Sequence, residues 1–247
     1  MGIQFGSQTH QGRVRTSNED CFVANPGTGL FLVADGMGGH AAGEIASRLA
    51  ATTMDDMVAA EGSAGQAPAE ILRLATMAAN SRVLEAQRKD RALAGMGSTL
   101  TALLVRGPCY SIAHVGDSRA YRLRDGTLQQ LTRDHSLVWH LYENGVLDKA
   151  DLARHPQKNL ITRSIGSHPQ VDIDIEEGEG RAGDLYLLCS DGLTDGVPDE
   201  GIRGLLIAAQ KTPQEMADNL VNAANEAGGP DNITVVVVKL DDGGRQA

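Results

Sequence analysis

The chain has 247 residues, of which 41% are apolar, and this length favours one large domain over residues 1–240 with a flexible tail at 241–247. Its net charge of −10 argues against nucleic acid as a partner, because a polyanion would be repelled. The three scattered cysteines, the lack of an N-terminal signal pattern and the lack of a long apolar run predict a soluble cytoplasmic protein that does not enter membranes.

Short apolar runs rich in β-branched residues predict six strands, at 30–34, 99–105, 110–115, 120–123, 185–189 and 233–240. Alanine-rich stretches with helical spacing predict helices at 42–60, 68–89, 136–144, 200–209 and 213–227. Thr212 is the expected N-cap of the last helix, since Pro213 and Glu215 follow it. Blocks of strands separated by helix pairs favour an α+β fold with antiparallel sheets over a doubly wound parallel sheet. Residues 145–166 are polar and basic without a clear period, which predicts a surface flap.

Aspartates stand at the ends of several predicted strands. Asp35, Asp117 and Asp191 each follow an apolar strand and precede glycine or serine. Asp231 comes just before the last strand, and Glu19 and Asp20 follow Arg15. A single Asp-Gly pair is more often a turn than a ligand. Several carboxylates gathered at strand ends would repel one another, and bound cations would remove that repulsion.

The candidate ligands are all hard oxygen atoms. The seven histidines and three cysteines form no cluster at ligand spacing, and His135 and His140 are poorly spaced to share an ion. Oxygen ligands favour magnesium or manganese (Mg or Mn) over zinc or copper. The sequence therefore predicts a Mg or Mn site held by aspartates.

A series of short motifs occurs in a fixed order over residues 15–238. The motifs are Arg15-x-x-Asn18-Glu19-Asp20, Asp35-Gly36-Met37-Gly38-Gly39-His40, Gly43-Glu44, Gly97-Ser98-Thr99, Gly116-Asp117-Ser118-Arg119, residues 159–166, Cys189-Ser190-Asp191-Gly192 and Asp231-Asn232. This series resembles the metal-dependent type 2C protein serine/threonine phosphatases, in their bacterial branch. The resemblance implies a four-layer αββα fold, with two antiparallel β-sheets in a sandwich flanked by pairs of antiparallel helices and the metals at one sheet end.

The resemblance also implies a binuclear centre. Asp35 would bridge two ions, the Gly36 carbonyl would join one of them, and Asp191 and Asp231 would hold the other. Two cations close together lower the pKa of a bridging water, so that hydroxide forms at neutral pH, and they neutralise the phosphoryl oxygens during in-line displacement. No covalent phospho-enzyme is needed.

Further residues surround this pair of ions. Glu19 and Asp20 would act through metal-bound waters. Asp117 matches a position that supports a third, weaker ion beside the flap; the alternatives are a pair with Arg119 or a capped turn.

Two residues are expected to act on the substrate. Arg15 offers a planar fork of donors suited to a phosphate dianion. His40 could protonate the departing alkoxide as a general acid. Gly38 and Gly39 are expected to permit a tight turn.

The predicted activity is hydrolysis of phosphoserine and phosphothreonine in proteins, opposing a bacterial Ser/Thr kinase, so phosphorylated proteins are the expected partners. The alternative is a catalytically weak module of the same fold that binds phosphoproteins for regulation. The intact Asp35, Asp191 and Asp231 disfavour that alternative. A two-metal enzyme acting on nucleic acid is disfavoured by the acidic charge.

Overall fold

The computed structural model describes residues 1–38, 42–61, 66–207 and 211–242. The strands are β1 (Gly2–His10), β2 (Asp20–Asn25), β3 (Leu30–Met37), β4 (Gly97–Ser98), β5 (Leu100–Arg106), β6 (Cys109–Val115), β7 (Arg119–Arg124), β8 (Thr127–Gln130), β9 (Asp174–Glu179), β10 (Leu185–Cys189) and β11 (Ile233–Asp241). The helices are α1 (Ala42–Glu61), α2 (Pro68–Lys89), α3 (Leu137–Glu143), α4 (Asp191–Thr194), α5 (Asp199–Ile207) and α6 (Pro213–Glu226), with 3₁₀ turns at Arg91–Leu93 and Lys149–Arg154.

Two antiparallel sheets form the centre of the molecule. One has the strand order β1-β11-β10-β7-β8, and the other has the order β2-β3-β5-β6-β9 with β4 joined to β3. Each strand pairs antiparallel with its neighbours. The predicted α+β class with two antiparallel sheets is therefore confirmed.

The side chains of β3 show how the layers are built. Leu30, Leu32 and Ala34 belong to an apolar cluster shared with α1 and α2. Phe31 and Val33 belong to a second cluster, shared with β10 and β11 of the other sheet. This alternation follows from the period of two along a strand. A third cluster joins the five-stranded sheet to α5 and α6, which completes the αββα arrangement.

The six predicted strands and five predicted helices are all present, with ends that agree to within three residues wherever the structure describes them. The predicted end of the fourth helix, at 208–209, lies outside the described residues. Four longer strands escaped prediction: β1, β2, β8 and β9. They are the edge strands of the two sheets, where one side of the backbone and much of the side-chain surface meet solvent. Their sequences consequently lack the apolar run that marks an interior strand.

Local signals at α6 and in the flap have clear structural counterparts. Thr212 caps α6, since its Oγ1 accepts from the Glu215 amide while the Glu215 carboxylate accepts from the Thr212 amide.

The flap, residues 145–166, is joined to the body by isolated β-bridges from Ile161 to Ser136 and from Ile165 to Ser98. No helix within the described residues has the length and apolar character needed to cross a membrane.

Candidate metal centre

The fold brings the predicted aspartates to the same end of both sheets. Asp20 and Asp35 are register partners on β2 and β3. Burial raises the pKa of Asp35 well above its usual range, and the negative charges of Asp20, Asp191, Asp117 and Asp231 raise it further. Five carboxylates from both sheets therefore share one electrostatic environment.

Asp35 is a strand residue and does not lie in a turn. β3 continues through it to Met37, three residues beyond the predicted strand end. The Asp35 amide donates to Thr99 Oγ1 at 2.9 Å, and its carbonyl accepts from the Thr99 amide at 2.8 Å. These two bonds to Thr99 fix the Asp35 backbone within the strand, so the turn alternative is wrong at this position.

The loop after β10 is locked to the start of β11. The Ser190 amide donates to the Thr234 carbonyl, and the Thr234 amide donates to Ser190 Oγ, both at 3.0 Å. Ser190 Oγ in turn donates to Asp20 Oδ2 at 2.8 Å. A Cβ on Gly192 would stand 1.9 Å from the Asn232 carbonyl oxygen, so only glycine lets α4 approach this closely. Asp191, the first residue of α4, is thus placed beside Asp231.

Asn232 joins the two ends of the chain at the site. Its Oδ1 accepts from the Glu19 amide at 2.8 Å, and its Nδ2 donates to the carbonyls of Gln11 and Ser17. The Glu19 carboxylate lies against Gly43 in the first turn of α1, where a Cβ would be 2.0 Å from Glu19 Oε2. Burial raises the pKa of Glu19.

Three of the aspartates carry an oxygen that no donor within the described ranges reaches. Oδ1 of Asp20, of Asp117 and of Asp191 is buried without a hydrogen-bond partner among the described residues. Burial raises the pKa of Asp20 to about 6 and that of Asp117 to about 7, and it raises the pKa of Asp191 well above its usual range. A buried carboxylate oxygen without a partner is unfavourable unless a cation binds it.

These residues fit a divalent cation by their chemistry. Carboxylate oxygens are the ligands that Mg²⁺ and Mn²⁺ prefer. Across the described parts of the chain, no three His, Cys, Asp or Glu side chains converge closely enough to enclose an ion as they stand. The fit consequently rests on the type of donor and on the unpartnered oxygens.

A hydrogen bond that the sequence does not predict holds Arg15 beside the candidate metal centre. Its Nη2 donates to Asp231 Oδ2 at 2.7 Å, and its side chain is 53% exposed. The guanidinium thus offsets the charge of one predicted ligand. Its role toward phosphate stays a prediction.

Asp117 is 7% exposed, just beyond the end of β6. The suggested pair between Asp117 and Arg119 is not formed, because Arg119 makes three hydrogen bonds of 2.6 to 3.0 Å to Asp134. The charge of Asp134 adds to the effect of burial on the pKa of Asp117. Asp117 therefore has no direct ion pair among the described residues, although the charge of Arg119 partly offsets the effect of burial on its pKa.

The remaining predicted residues have mixed outcomes. Gly36 lies in β3, where its amide donates to the Glu19 carbonyl at 3.1 Å. His40 lies outside the described residues, as do Gly39 and 243–247 of the predicted tail, so the role of His40 stays a prediction. His135 is buried against His114, whereas His140 is exposed.

Sequence reasoning quoted Thr99, Ser190 and Asn232 within motifs but gave them no role. The structure shows that they hold Asp35, Asp20 and the Glu19 backbone by hydrogen bonds. All three are polar residues within the motifs. A polar side chain at such a position is the sequence signal that could have identified them as supports for the ligands.

The chain is similar to known protein phosphatases. The family model described as Protein phosphatase 2C matches residues 8–226. The serine/threonine protein phosphatase PstP of Mycobacterium tuberculosis is 42% identical over 245 residues, covering 97% of this chain. This chain spans only 45% of the length of that relative. The serine/threonine phosphatase stp of Listeria monocytogenes is 39% identical over 240 residues, covering 95% of this chain and 94% of its own length.

The chain is also similar to a solved structure of one of these relatives. The crystal structure of the catalytic domain of PstP in complex with two manganese ions superposes with a TM-score of 0.88 at 39% identity. The match covers 97% of this chain and 99% of that one.

Proposed function

Because the chain belongs to the protein phosphatase 2C family, we propose that it hydrolyses phosphoserine and phosphothreonine in proteins with two bound divalent cations, Mn or Mg. The observation that carries this proposal is the set of buried, unpartnered carboxylate oxygens on Asp20, Asp117 and Asp191. The manganese complex of PstP, at 39% identity, supports the choice of metal.

The proposed ligands are oxygen donors that the fold gathers at one end of the two sheets. Asp35, the Gly36 carbonyl, Asp191 and Asp231 would hold the two ions, with Asp35 at the position that the family resemblance gives to a shared ligand. Asp20 is assigned to the same centre, with Glu19 behind it. When bound, the cations supply an activated water and neutralise the phosphoryl oxygens.

Arg15 orients the substrate in this proposal. Among the described residues, its guanidinium bonds only to Asp231, through Nη2. The other N–H groups of the guanidinium remain free to donate to a phosphate dianion, and about half of the side chain is exposed to solvent. His40 is proposed to hold the proton that the leaving alkoxide takes up.

The proposed partners are phosphorylated proteins, including a Ser/Thr kinase or its substrates. The names of the bacterial relatives support this class of substrate. We also propose a cytoplasmic location, since the free thiols of Cys21, Cys109 and Cys189 suit a reducing compartment. Asp117 is proposed to support a third, weaker ion.

The competing function is a module of the same fold that binds phosphoproteins without turnover. Hydrolysis of a phosphothreonine peptide should be measured with manganese and again with excess EDTA. We expect turnover only with the metal. Peptide binding without release of phosphate at any manganese concentration would instead establish the binding module.

A further inference from the structure

His135 lies in the loop between β8 and α3, where the strand end that carries Asp117 meets the flap. Its side chain is 5% exposed. The His135 amide donates to the Gly116 carbonyl at 2.7 Å, and the His135 carbonyl accepts from the Thr162 amide of the flap, also at 2.7 Å. The backbone of this one residue therefore connects the segment before Asp117 to the flap.

Gly116 is the residue immediately before Asp117, and its surroundings leave it little freedom. Its φ is +115°, a value that favours glycine, and a Cβ there would stand 2.6 Å from Thr99 Cβ. Its amide is buried and donates to His135 Nδ1 at 3.1 Å. Thr99 in turn accepts from the Asp35 amide. Any shift of Gly116 would therefore move Asp117 and change its contact with the residue that holds Asp35.

The hydrogen bonds around the ring fix the tautomer of His135. Because the Gly116 N–H donates to Nδ1, that atom carries no proton, and the proton of the neutral ring is on Nε2. Nε2 lies 3.3 Å from Asp174 Oδ2, which accepts it. Arg163 Nη1 lies 3.2 Å from Nε2, but both atoms are donors, so Arg163 bonds to Asp174 Oδ1 at 2.9 Å. Burial lowers the pKa of His135, which favours this neutral ring.

The two ring nitrogens thus have different tasks. Nδ1 is the acceptor of the Gly116 amide, whereas Nε2 donates to Asp174 on β9. Without Nδ1, the Gly116 amide would be buried without its acceptor, which is unfavourable and would allow the segment before Asp117 to shift.

We propose that His135 is a positioning residue for the proposed reaction, in which Nδ1 holds the Gly116 amide so that the Asp117 carboxylate keeps its place at the metal centre. The proposal rests on the proposed function, because the placing of Asp117 affects turnover only if that carboxylate serves the centre. His135 acts through Gly116 and takes no part in the chemical steps.

Three substitutions of His135 separate its two nitrogens. His135→Asn can keep an acceptor oxygen at the place of Nδ1, His135→Gln can keep a donor at the place of Nε2, and His135→Leu removes both. Asp184→Ala serves as the control for a general loss of stability. It removes the partner of Arg124 at the end of β10 that lies away from Asp191.

Turnover should be measured on para-nitrophenyl phosphate and on a phosphothreonine peptide at saturating manganese. We expect His135→Gln and His135→Leu to lower kcat by about five- to tenfold, with KM changed by less than about twofold. His135→Asn and Asp184→Ala should keep kcat within about twofold of wild type. In the Asp117→Ala background, His135→Leu should cause no further loss, because its effect passes through that carboxylate.

Hydrogen–deuterium exchange of the metal-free protein gives a readout that does not depend on activity. The Gly116 amide should exchange about tenfold faster in His135→Gln and His135→Leu than in wild type. His135→Asn should restore most of the protection. Exchange in β11, which belongs to the other sheet, should stay unchanged in all three variants.

The outcomes separate the positioning role from the activity. An absence of hydrolysis by wild type would reject the proposed function, and the positioning role in turnover with it. Hydrolysis by wild type together with full kcat in His135→Gln, or with equal losses in His135→Asn and His135→Gln, would overturn the positioning role alone. Unchanged exchange at Gly116 in His135→Gln, or a further loss from His135→Leu in the Asp117→Ala background, would do the same. If His135→Leu fails to fold, His135→Gln takes its place in that background and decides.

Discussion

One buried aspartate lies near each end of β10, and the two differ in their hydrogen-bond partners. Before the strand, Asp184 is 2% exposed and accepts from Arg124 Nε at 2.8 Å, from Arg124 Nη2 at 2.6 Å and from the Arg181 amide at 2.7 Å. After the strand, Asp191 has a buried oxygen without any donor among the described residues.

The pKa values of the two carboxyl groups follow their partners. Burial by itself would raise the pKa of Asp184, but the hydrogen bonds and charge of Arg124 outweigh it and lower that pKa. Burial and the charges of Asp117, Asp195 and other carboxylates raise the pKa of Asp191 well above its usual range. A buried aspartate with its own arginine contributes to the fold, whereas one without a donor is left for a ligand.

This contrast predicts that the aspartates without a donor, such as Asp191, contribute to turnover, and that Asp184, with its arginine, contributes to stability. The largest effect on turnover is expected at Asp35, because the charges of four other aspartates act on its carboxyl group. Asp35→Asn should reduce kcat by about a thousandfold or more, because both cations lose a shared anionic ligand. Steady-state kinetics at saturating manganese measures this. A loss within about tenfold of wild type would contradict the bridging role.

Asp191→Asn should have the next largest effect, of about a hundredfold at low manganese. The variant keeps the backbone position but weakens one ion, so higher manganese should restore part of the activity. It should also unfold at an equal or higher temperature than wild type without metal, since a repelling charge is gone. Calorimetric metal titration and thermal unfolding measure both effects. Unchanged manganese affinity would remove Asp191 from the ligand set.

Asp117→Ala should lower turnover by about tenfold while two tightly bound ions remain. The proposed third ion is weak, so it should contribute more to catalysis than to assembly of the pair. Metal stoichiometry and phosphopeptide kinetics should be measured on the same preparation. Loss of the tight sites, or full activity, would each contradict an accessory role.

Asp184→Ala should have the smallest effect on turnover, within about twofold, yet it should destabilise the protein by about 3 kcal/mol. The substitution leaves Arg124, whose side chain is 20% exposed, without its partner. Denaturant unfolding measures the loss. The matched double variant Asp184→Ala with Arg124→Ala should recover part of it, since no unpaired charge remains. A large loss of kcat in folded Asp184→Ala would break the contrast.

The same pair sets a dependence on pH. The folded-state pKa of Asp184 is lower than its unfolded value, so the folded protein binds fewer protons at this group. The stabilisation is fully present above about pH 4 and is lost as the pH falls through the lowered folded-state pKa. Wild type should therefore lose stability in acid more steeply than Asp184→Ala.

How far the sequence could predict the fold depends on where a strand lies. Interior strands such as β3 and β11 are buried on both faces, and their apolar runs are plain in the sequence. Edge strands such as β9, with the sequence Asp-Ile-Glu-Glu-Gly-Glu, form because a neighbour supplies hydrogen bonds. That information lies in the partner strand, so local pattern cannot carry it.

The site divides in the same way. The aspartates were predictable because carboxylates repeat at the ends of apolar strands. The bond from Arg15 to Asp231 joins residues 216 positions apart, and Asn232 holds the Glu19 amide across 213 positions. Such contacts depend on strand register, which fixes which side chains meet.

The place of β11 in its sheet has a consequence for how the protein is made. β11 lies between β1 and β10, and its register with β1 runs from Gly2 beside Asp241 to His10 beside Ile233. During synthesis β1 emerges long before β11, which is the one strand that pairs with it among the described residues. Throughout that time its open edge is a site for wrong pairing between nascent chains, and Asp231 and Asn232 are still missing from the centre. Under the proposed ligand set, the metal centre is therefore complete only after β11 has been synthesised.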